Sequence, residues 1–192
     1  MTIVNSKSSI VNCQSVLFLD PSSTVVGWAV MSSATQLIEA GRITPAGRAD
    51  PYIKRCDDMA VDLSGLLNEH RPATVVIEIP TGKVHRRKRP YTQGMGLSVY
   101  GFGVGVTWLT CRRWADAAAN MVCDQRSGHL RRRRVVTIFE NDWTRGVPKR
   151  DRQLAIALMF DAYKVPADPG GDVADAIGLG LWWFRRFNLE GK

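Results

Sequence analysis

Ser15–Met31, SVLFLDPSSTVVGWAVM, is the stretch on which the fold turns. Its first part, Ser15–Asp20 (SVLFLD), is a short apolar run that ends in a carboxylate. Pro21, Ser22 and Ser23 are turn formers, because proline presets φ and serine hydroxyls bond nearby backbone. Val25–Met31 (VVGWAVM) is again rich in β-formers, and Gln36–Ile43 follows after a Ser-Ser-Ala-Thr turn. Short β-rich runs separated by tight turns predict a three-stranded meander.

Working outward, Pro51 suits the first turn of a helix, and Ile53, Met59, Ala60, Leu63, Leu66 and Leu67 recur at helical spacing up to His70. Arg71-Pro72 breaks the chain. Ala73–Ile79 (ATVVIEI) then reads as an apolar strand carrying one acid, Glu78, and Val135–Phe139 (VVTIF) as a fifth strand. A helix is predicted from about Lys149 to Tyr163, a Pro-Ala-Asp-Pro-Gly-Gly turn after it, and a last helix from about Asp172 to Phe187. The order βββ-α-β-α-β-α-α describes an α/β domain with a five-stranded mixed sheet flanked by helices. We expect one domain over 1–192, with residues 1–14 a flexible N-terminal tail.

Pro90–Cys111 is uncharged and, by length alone, could cross a bilayer. Its five glycines (94, 96, 101, 103 and 105) and interspersed Thr, Ser, Gln and Tyr make it only modestly hydrophobic, so a buried helix is the expectation. Gly101 and Gly105, one turn apart, would let a second backbone approach closely, as at a subunit interface.

Three places put carboxylates where packing alone does not want them. Asp20 closes one apolar strand and Glu78 interrupts another. Asp172 and Asp175 open a helix that runs on into Ala-Ile-Gly-Leu-Gly-Leu-Trp-Trp, and their i, i+3 spacing sets them on one face near its N-terminal dipole. Singly, each aspartate has a plain structural role: Asp-Pro ends strands and Asp caps helices. Glu78 is harder to dismiss, because a carboxylate between Ile77 and Ile79 in a buried strand must be paired or hold a cation. Together the four form a cluster that repels itself unless metal neutralises it. Oxygen-only ligands point to Mg²⁺ or Mn²⁺, and two such ions about 4 Å apart are the usual device for phosphodiester hydrolysis.

Lys and Arg number 26 against 18 Asp and Glu in the 192 residues, a net charge of +8, and the pI is near 9.7. A basic surface attracts polyanions, nucleic acid above all. The cations gather in runs: Lys83 and His85-Arg86-Arg87-Lys88-Arg89 after the Glu78 strand, Arg131–Arg134, and Arg145, Lys149, Arg150 and Arg152 around a helix start. Lys83, Arg86, Arg87, Lys88, Lys149, Arg150 and Arg152 are the candidate DNA contacts, and Arg131–Arg134 reads equally well as a solvated loop. The four cysteines (13, 56, 111 and 123) are scattered without C-x-x-C pairs, which favours buried free thiols over a zinc site. Met1–Ser9 is polar and offers no secretory core segment, so an intracellular, cytoplasmic protein is expected, in a host cell if viral.

Three of these segments, in order, resemble the RuvC family of Holliday junction resolvases. LFLDPSSTVVGWAV is similar to its opening, a strand ending in Asp-Pro and a second strand with a Gly-aromatic step, although Ser22 stands where relatives often have Gly. VVIEIP resembles the strand with that family's second acid, and PADPGGDVADAIGLGL its C-terminal D-x-x-D-A helix start. The resemblance spans Ser15 to about Phe184 and suggests a divergent branch, such as phage or organellar resolvases. It implies an RNase H-like fold and a homodimer. It also implies Mg²⁺-dependent nicking of symmetric strands in a four-way DNA junction. Asp20, Glu78, Asp172 and Asp175 would be catalytic and hold two metals per site, with Mn²⁺ able to substitute. One metal would activate water and the other stabilise the leaving 3′ oxygen.

Other readings keep part of this. Terminase-type and RNA-processing nucleases share the arrangement of acids. A branched-DNA-binding protein could carry it without cutting. Asp20-Pro-Ser-Ser-Thr is also similar to the phosphate turn of actin-like sugar kinases, but those need two such domains and this chain has room for one.

Overall fold

The structure, a computed structural model, describes residues 2–4, 15–22, 24–45, 51–80, 90–117, 121–123 and 130–187, with backbone only at 2–4, 90–99, 122, 123, 130 and 131. Strands β2 (Val16–Pro21), β3 (Val26–Ser33) and β4 (Gln36–Ile43) form the expected antiparallel meander. The first turn is fixed locally: Ser22 N–H donates to the Val25 carbonyl at 2.8 Å, and the Ser22 hydroxyl accepts from Val25 N–H at 3.1 Å. The N-terminal segment, read as a tail, adds a short strand β1 (Thr2–Val4) antiparallel to β4, making the sheet six-stranded; residues 5–14 lie outside the described residues.

Helix α1 (Tyr52–His70) buries Met59, Leu63, Leu66 and Leu67 of the predicted stripe together with Cys56, whereas Ile53, in the first turn, is exposed at 66% and Ala60 is half-buried. It ends where Arg71 turns left-handed (φ 45°) and its N–H returns to Leu67 O at 3.0 Å, ahead of Pro72. Strand β5 (Thr74–Ile79) then runs parallel to β2, with Leu19 opposite Ile77. Helix α2 (Pro90–Asp116) follows, then a two-stranded ribbon of β6 (Val122–Cys123) and β7 (Leu130–Arg131) that the sequence did not signal. Strand β8 (Arg134–Phe139) pairs parallel to β5 and completes the order β1-β4-β3-β2-β5-β8. Three helices close the chain: α3 (Glu140–Thr144), α4 (Lys149–Met159) and α5 (Asp172–Phe187), with a 3₁₀ turn at Val165–Ala167.

Helix α4 is shorter than predicted. Phe160 leaves helical geometry at φ −131°, and the chain turns so that buried Tyr163 donates its hydroxyl to Asp168 at 2.9 Å. That carboxylate also accepts Ala174 N–H at 3.0 Å, so Asp168 satisfies a first-turn amide of α5 from outside the helix.

The pleat sorts the core into two layers. Leu17, Leu19, Val75 and Ile77 pack on the side of α1 and α2 with Met59, Leu63, Cys111 and Trp114. Their alternates Val16, Phe18 and Val76 face α5, against Ile177, Leu181 and Phe184. Each such fully buried Leu, Ile or Phe stabilises the fold by about 1.5–3 kcal/mol. Helix α5 crosses the sheet so closely that a Cβ on Gly27 would collide with the backbone carbonyl of Asp172.

From Tyr100 onward, helix α2 is buried along one face only. Gly103, Thr107, Cys111 and Trp114 are inside, while Gly101, Phe102, Gly105, Trp108 and Leu109 are exposed, so the helix expected to be buried is covered on one face and bare on the one that carries Gly101 and Gly105. Among the described residues no helix is long and apolar enough to cross a membrane. The Arg131–Arg134 run is partly structural: Arg133 is buried, donates to the carbonyls of Arg71 and Pro72, and stacks on Trp114 at 4.9 Å. Cys56 and Cys111 are buried free thiols, whereas Cys13 lies outside the described residues.

Because the α5 N-terminus seats on a residue without a side chain, Gly27→Ala should cost about 1–3 kcal/mol, the usual penalty of overpacking. Urea unfolding of the two proteins should show this as a lower midpoint at unchanged slope.

Candidate active site

The alternation that points Phe18 and Val76 toward α5 continues two residues on, to Asp20 and Glu78. Since Leu19 lies opposite Ile77, the next step of the parallel register sets these two carboxylates side by side at the ends of central strands. The N-terminus of α5 lies over this point and adds Asp172 and Asp175. Asp20, Glu78 and Asp175 are buried, at 8, 7 and 4% exposure, and Asp172 is half-buried. All four predicted acids therefore meet.

Their proximity shows in their protonation. Burial, reinforced by the charges of Glu78, Asp175 and Asp172 and only partly offset by Lys149, holds the Asp20 carboxyl well above the usual carboxylate range. Burial and the Asp175 charge push Glu78 up to about 7, against the lowering effect of a hydrogen bond from Trp143 and the charge of Arg152. That bond runs from the indole Nε1 to Glu78 Oε2 at 2.8 Å. Tyr100, on α2, belongs to the same surroundings: its hydroxyl is raised by burial and then by the charges of Asp20, Glu78 and Glu140.

Two cations close the site from α4. Lys149 Nζ lies 2.9 Å from Asp175 Oδ2 and 3.3 Å from Asp172 Oδ1. Arg152, one turn further, places Nε and Nη2 each 2.9 Å from Asp175 Oδ1. Burial opposes the Lys149 ammonium, but Asp175, Asp20 and Asp172 together raise its pKa above the ordinary lysine value. Gly171 (φ 70°) lets the turn before α5 pass beside the Lys149 stem, which a Cβ there would meet. Arg150 is exposed on α4, and Lys83, Arg86, Arg87 and Lys88 lie outside the described residues.

Oxygen donors on a buried, self-repelling cluster are the donor set of a hard divalent ion, so the residues fit Mg²⁺. No three of the four acids bring their oxygens within 4.8 Å of one another; Lys149 and Arg152 lie on Asp175 and Trp143 on Glu78. Among the described residues, the only three ligand atoms within 4.8 Å of one another belong to Glu39, Glu69 and His70. That second group involves α1, where the His70 ring lies 5.9 Å from that of Trp28, part of the other core layer.

Trp143 and Tyr100 are the site residues that the sequence reading missed. Trp143 sits in α3, in the stretch between the fifth strand and the Lys149 helix to which the sequence assigns no element; a tryptophan among Glu140, Asn141 and Asp142 is the available signal. Tyr100 lay within the Gly-rich helix, where nothing in the spacing distinguishes it.

No family model matches the chain, and no curated protein matches it by sequence. Solved structures do. Thermus thermophilus RuvC in complex with a Holliday junction substrate aligns with a TM-score of 0.63 and 16% identity, covering 91% of this chain and 96% of that one. A second Thermus thermophilus RuvC structure aligns at 0.59 and 16% identity, covering 91% and 97%. The chain has the RuvC fold, an RNase H-like α/β arrangement.

The raised Glu78 carboxyl makes stability depend on pH. The unfolded chain releases this proton near pH 4.5 and the folded one near 7, so the stabilisation is complete below 4.5 and is lost as pH rises through 7. In EDTA, unfolding free energy should fall across that interval by on the order of 3 kcal/mol. Glu78→Gln should make the fall smaller in chemical denaturation run at a series of pH values, leaving the part that the raised Asp20 carboxyl contributes.

Proposed function

We propose that this protein is a metal-dependent endonuclease that resolves four-way DNA junctions, nicking symmetric strands as a homodimer. The observation that carries the reading is the meeting of Asp20, Glu78, Asp172 and Asp175 at one buried point, faced by Lys149 and Arg152. The RuvC fold supports it, because the solved neighbour with that fold holds a Holliday junction substrate.

The four carboxylates would hold two Mg²⁺ ions, for which Mn²⁺ would substitute. When bound, the metal neutralises the cluster, polarises the phosphodiester and lowers the pKa of the attacking water. Trp143 keeps Glu78 oriented by its indole bond. Lys149 and Arg152, both already on Asp175, would turn to the scissile and flanking phosphates as DNA enters. Arg150 and the run at Lys83, Arg86, Arg87 and Lys88 would bind phosphates further along the arms.

Incubating the protein with labelled four-way junction, linear duplex and single strand, with Mg²⁺ or EDTA, tests this directly. Paired nicks near the branch point, dependent on Mg²⁺, are expected only with the junction. Asp20→Asn should slow cleavage by at least about 100-fold, the scale of losing one charge-stabilising group. Equal cutting of linear DNA would leave a general nuclease, and full activity of Asp20→Asn would refute the metal site.

The second copy would dock through α2. Gly101 and Gly105 have open space above them, and Phe102, Trp108 and Leu109 stand 52, 43 and 41% exposed along the same stretch. Light scattering should give twice the chain mass, and Trp108→Glu should return it to monomer with its circular dichroism unchanged.

A further inference from the structure

A cavity of about 510 Å³ opens beside the acid cluster, between α3, α4 and α5. This is within the range of roughly 300–1,000 Å³ typical of small-ligand sites. Its aromatic walls are Trp143 and Trp182, and its cations are Arg145, Arg152, Arg185 and Arg186, against one acid, Asp151. Two of these arginines lie over the indoles, Arg152 at 5.1 Å from the Trp143 ring and Arg186 at 5.6 Å from Trp182. Gly178 keeps the floor low, since a Cβ there would press on the Trp143 ring.

The cavity shares two side chains, Trp143 and Arg152, with the proposed catalytic centre. Asp175, Gly178, Trp182 and Arg185 follow one another at three- and four-residue steps down a single face of α5, about 15 Å of helix. Trp143 bonds Glu78 with one edge and lines the cavity with its ring. Arg152 likewise holds Asp175 while covering that ring.

We infer that this cavity binds one unpaired nucleotide of the DNA strand being cut. Indole faces and guanidinium planes both stack on nucleobases, and the surplus of arginines suits the attached phosphate. A paired base has its faces covered by its neighbours and cannot enter; an unstacked base at a branch point can. The inference deepens the resolvase reading, and rests on it for the source of the strand. Occupancy would draw Arg152 and Trp143 toward the nucleotide and so report to both acids they touch.

The test uses a fluorescein-labelled eight-residue oligothymidylate in EDTA, read by anisotropy, with junction cleavage in Mg²⁺ measured on the same proteins. Arg185→Gln combined with Arg186→Gln, both exposed and outside the acid cluster, should weaken oligonucleotide binding about tenfold or more. Trp182→Ala should do so roughly tenfold, while Trp182→Phe retains binding. A 5-iodouracil in the oligonucleotide should cross-link to Trp182 or Trp143. Unchanged binding by the arginine variant, or cross-links mapping elsewhere, would overturn the cavity. Binding through the cavity by a protein that cuts no junction would keep the cavity and remove the resolvase reading. Junction cutting without any cavity-dependent binding would do the reverse.

Discussion

Three buried carboxylates and a half-buried fourth, brought together by the ends of β2 and β5 and the start of α5, repel one another. Asp20 and Glu78 respond by holding their protons far above the usual range. Asp175 is instead neutralised from α4, by an ammonium and a guanidinium within 2.9 Å. Like charges gathered in a poorly solvated site are tolerable only with a counter-cation, whether from the protein or from solution. Lys149 and Arg152 thus stabilise the resting fold and, in the proposed nuclease, become available when another cation takes over the cluster.

The scaffold makes this possible by rigidity. β2 and β5 are central strands paired on both sides, so the positions of Asp20 and Glu78 are fixed by the sheet rather than by loops. The α5 start is held from two directions: Gly27 allows it onto the sheet, and Asp168 binds Tyr163 and the Ala174 amide. Gln153 adds a bond to the Asp168 carbonyl at 2.7 Å, tying α4, with its two cations, to the same turn. Acids and cations are therefore carried by parts of one connected unit, which is what geometric precision at a metal site requires.

Trp143 links this centre to the rest of the surface. Its indole nitrogen bonds Glu78, its ring lies under Arg152, and both side chains border an arginine-rich cavity. One side chain thus touches both Glu78 and the cavity. On the opposite side of the sheet, α2 leaves Phe102, Trp108 and Leu109 in water, a surface suited to a second copy.

The residues themselves determined the order of the main strands and helices, though not β1, the β6–β7 ribbon or α3, and they picked out the acids. Strand alternation and helix spacing are local, so β4 and α5 were readable to their boundaries, and the four carboxylates were recognisable as misfits in apolar runs. The break at Arg71-Pro72 was equally local. Contacts between distant segments were not readable. The end of α4 depended on a bond between Tyr163 and Asp168, and the sixth strand on an edge that only the folded β4 offers. Only the tertiary structure chose Lys149 and Arg152 as the partners of Asp175, brought Trp143 and Tyr100 to the site, and buried Arg133 from an apparently solvated run. Periodicity says which way a side chain points from its own strand or helix. What it meets there is set by packing across the sheet, which no local pattern encodes.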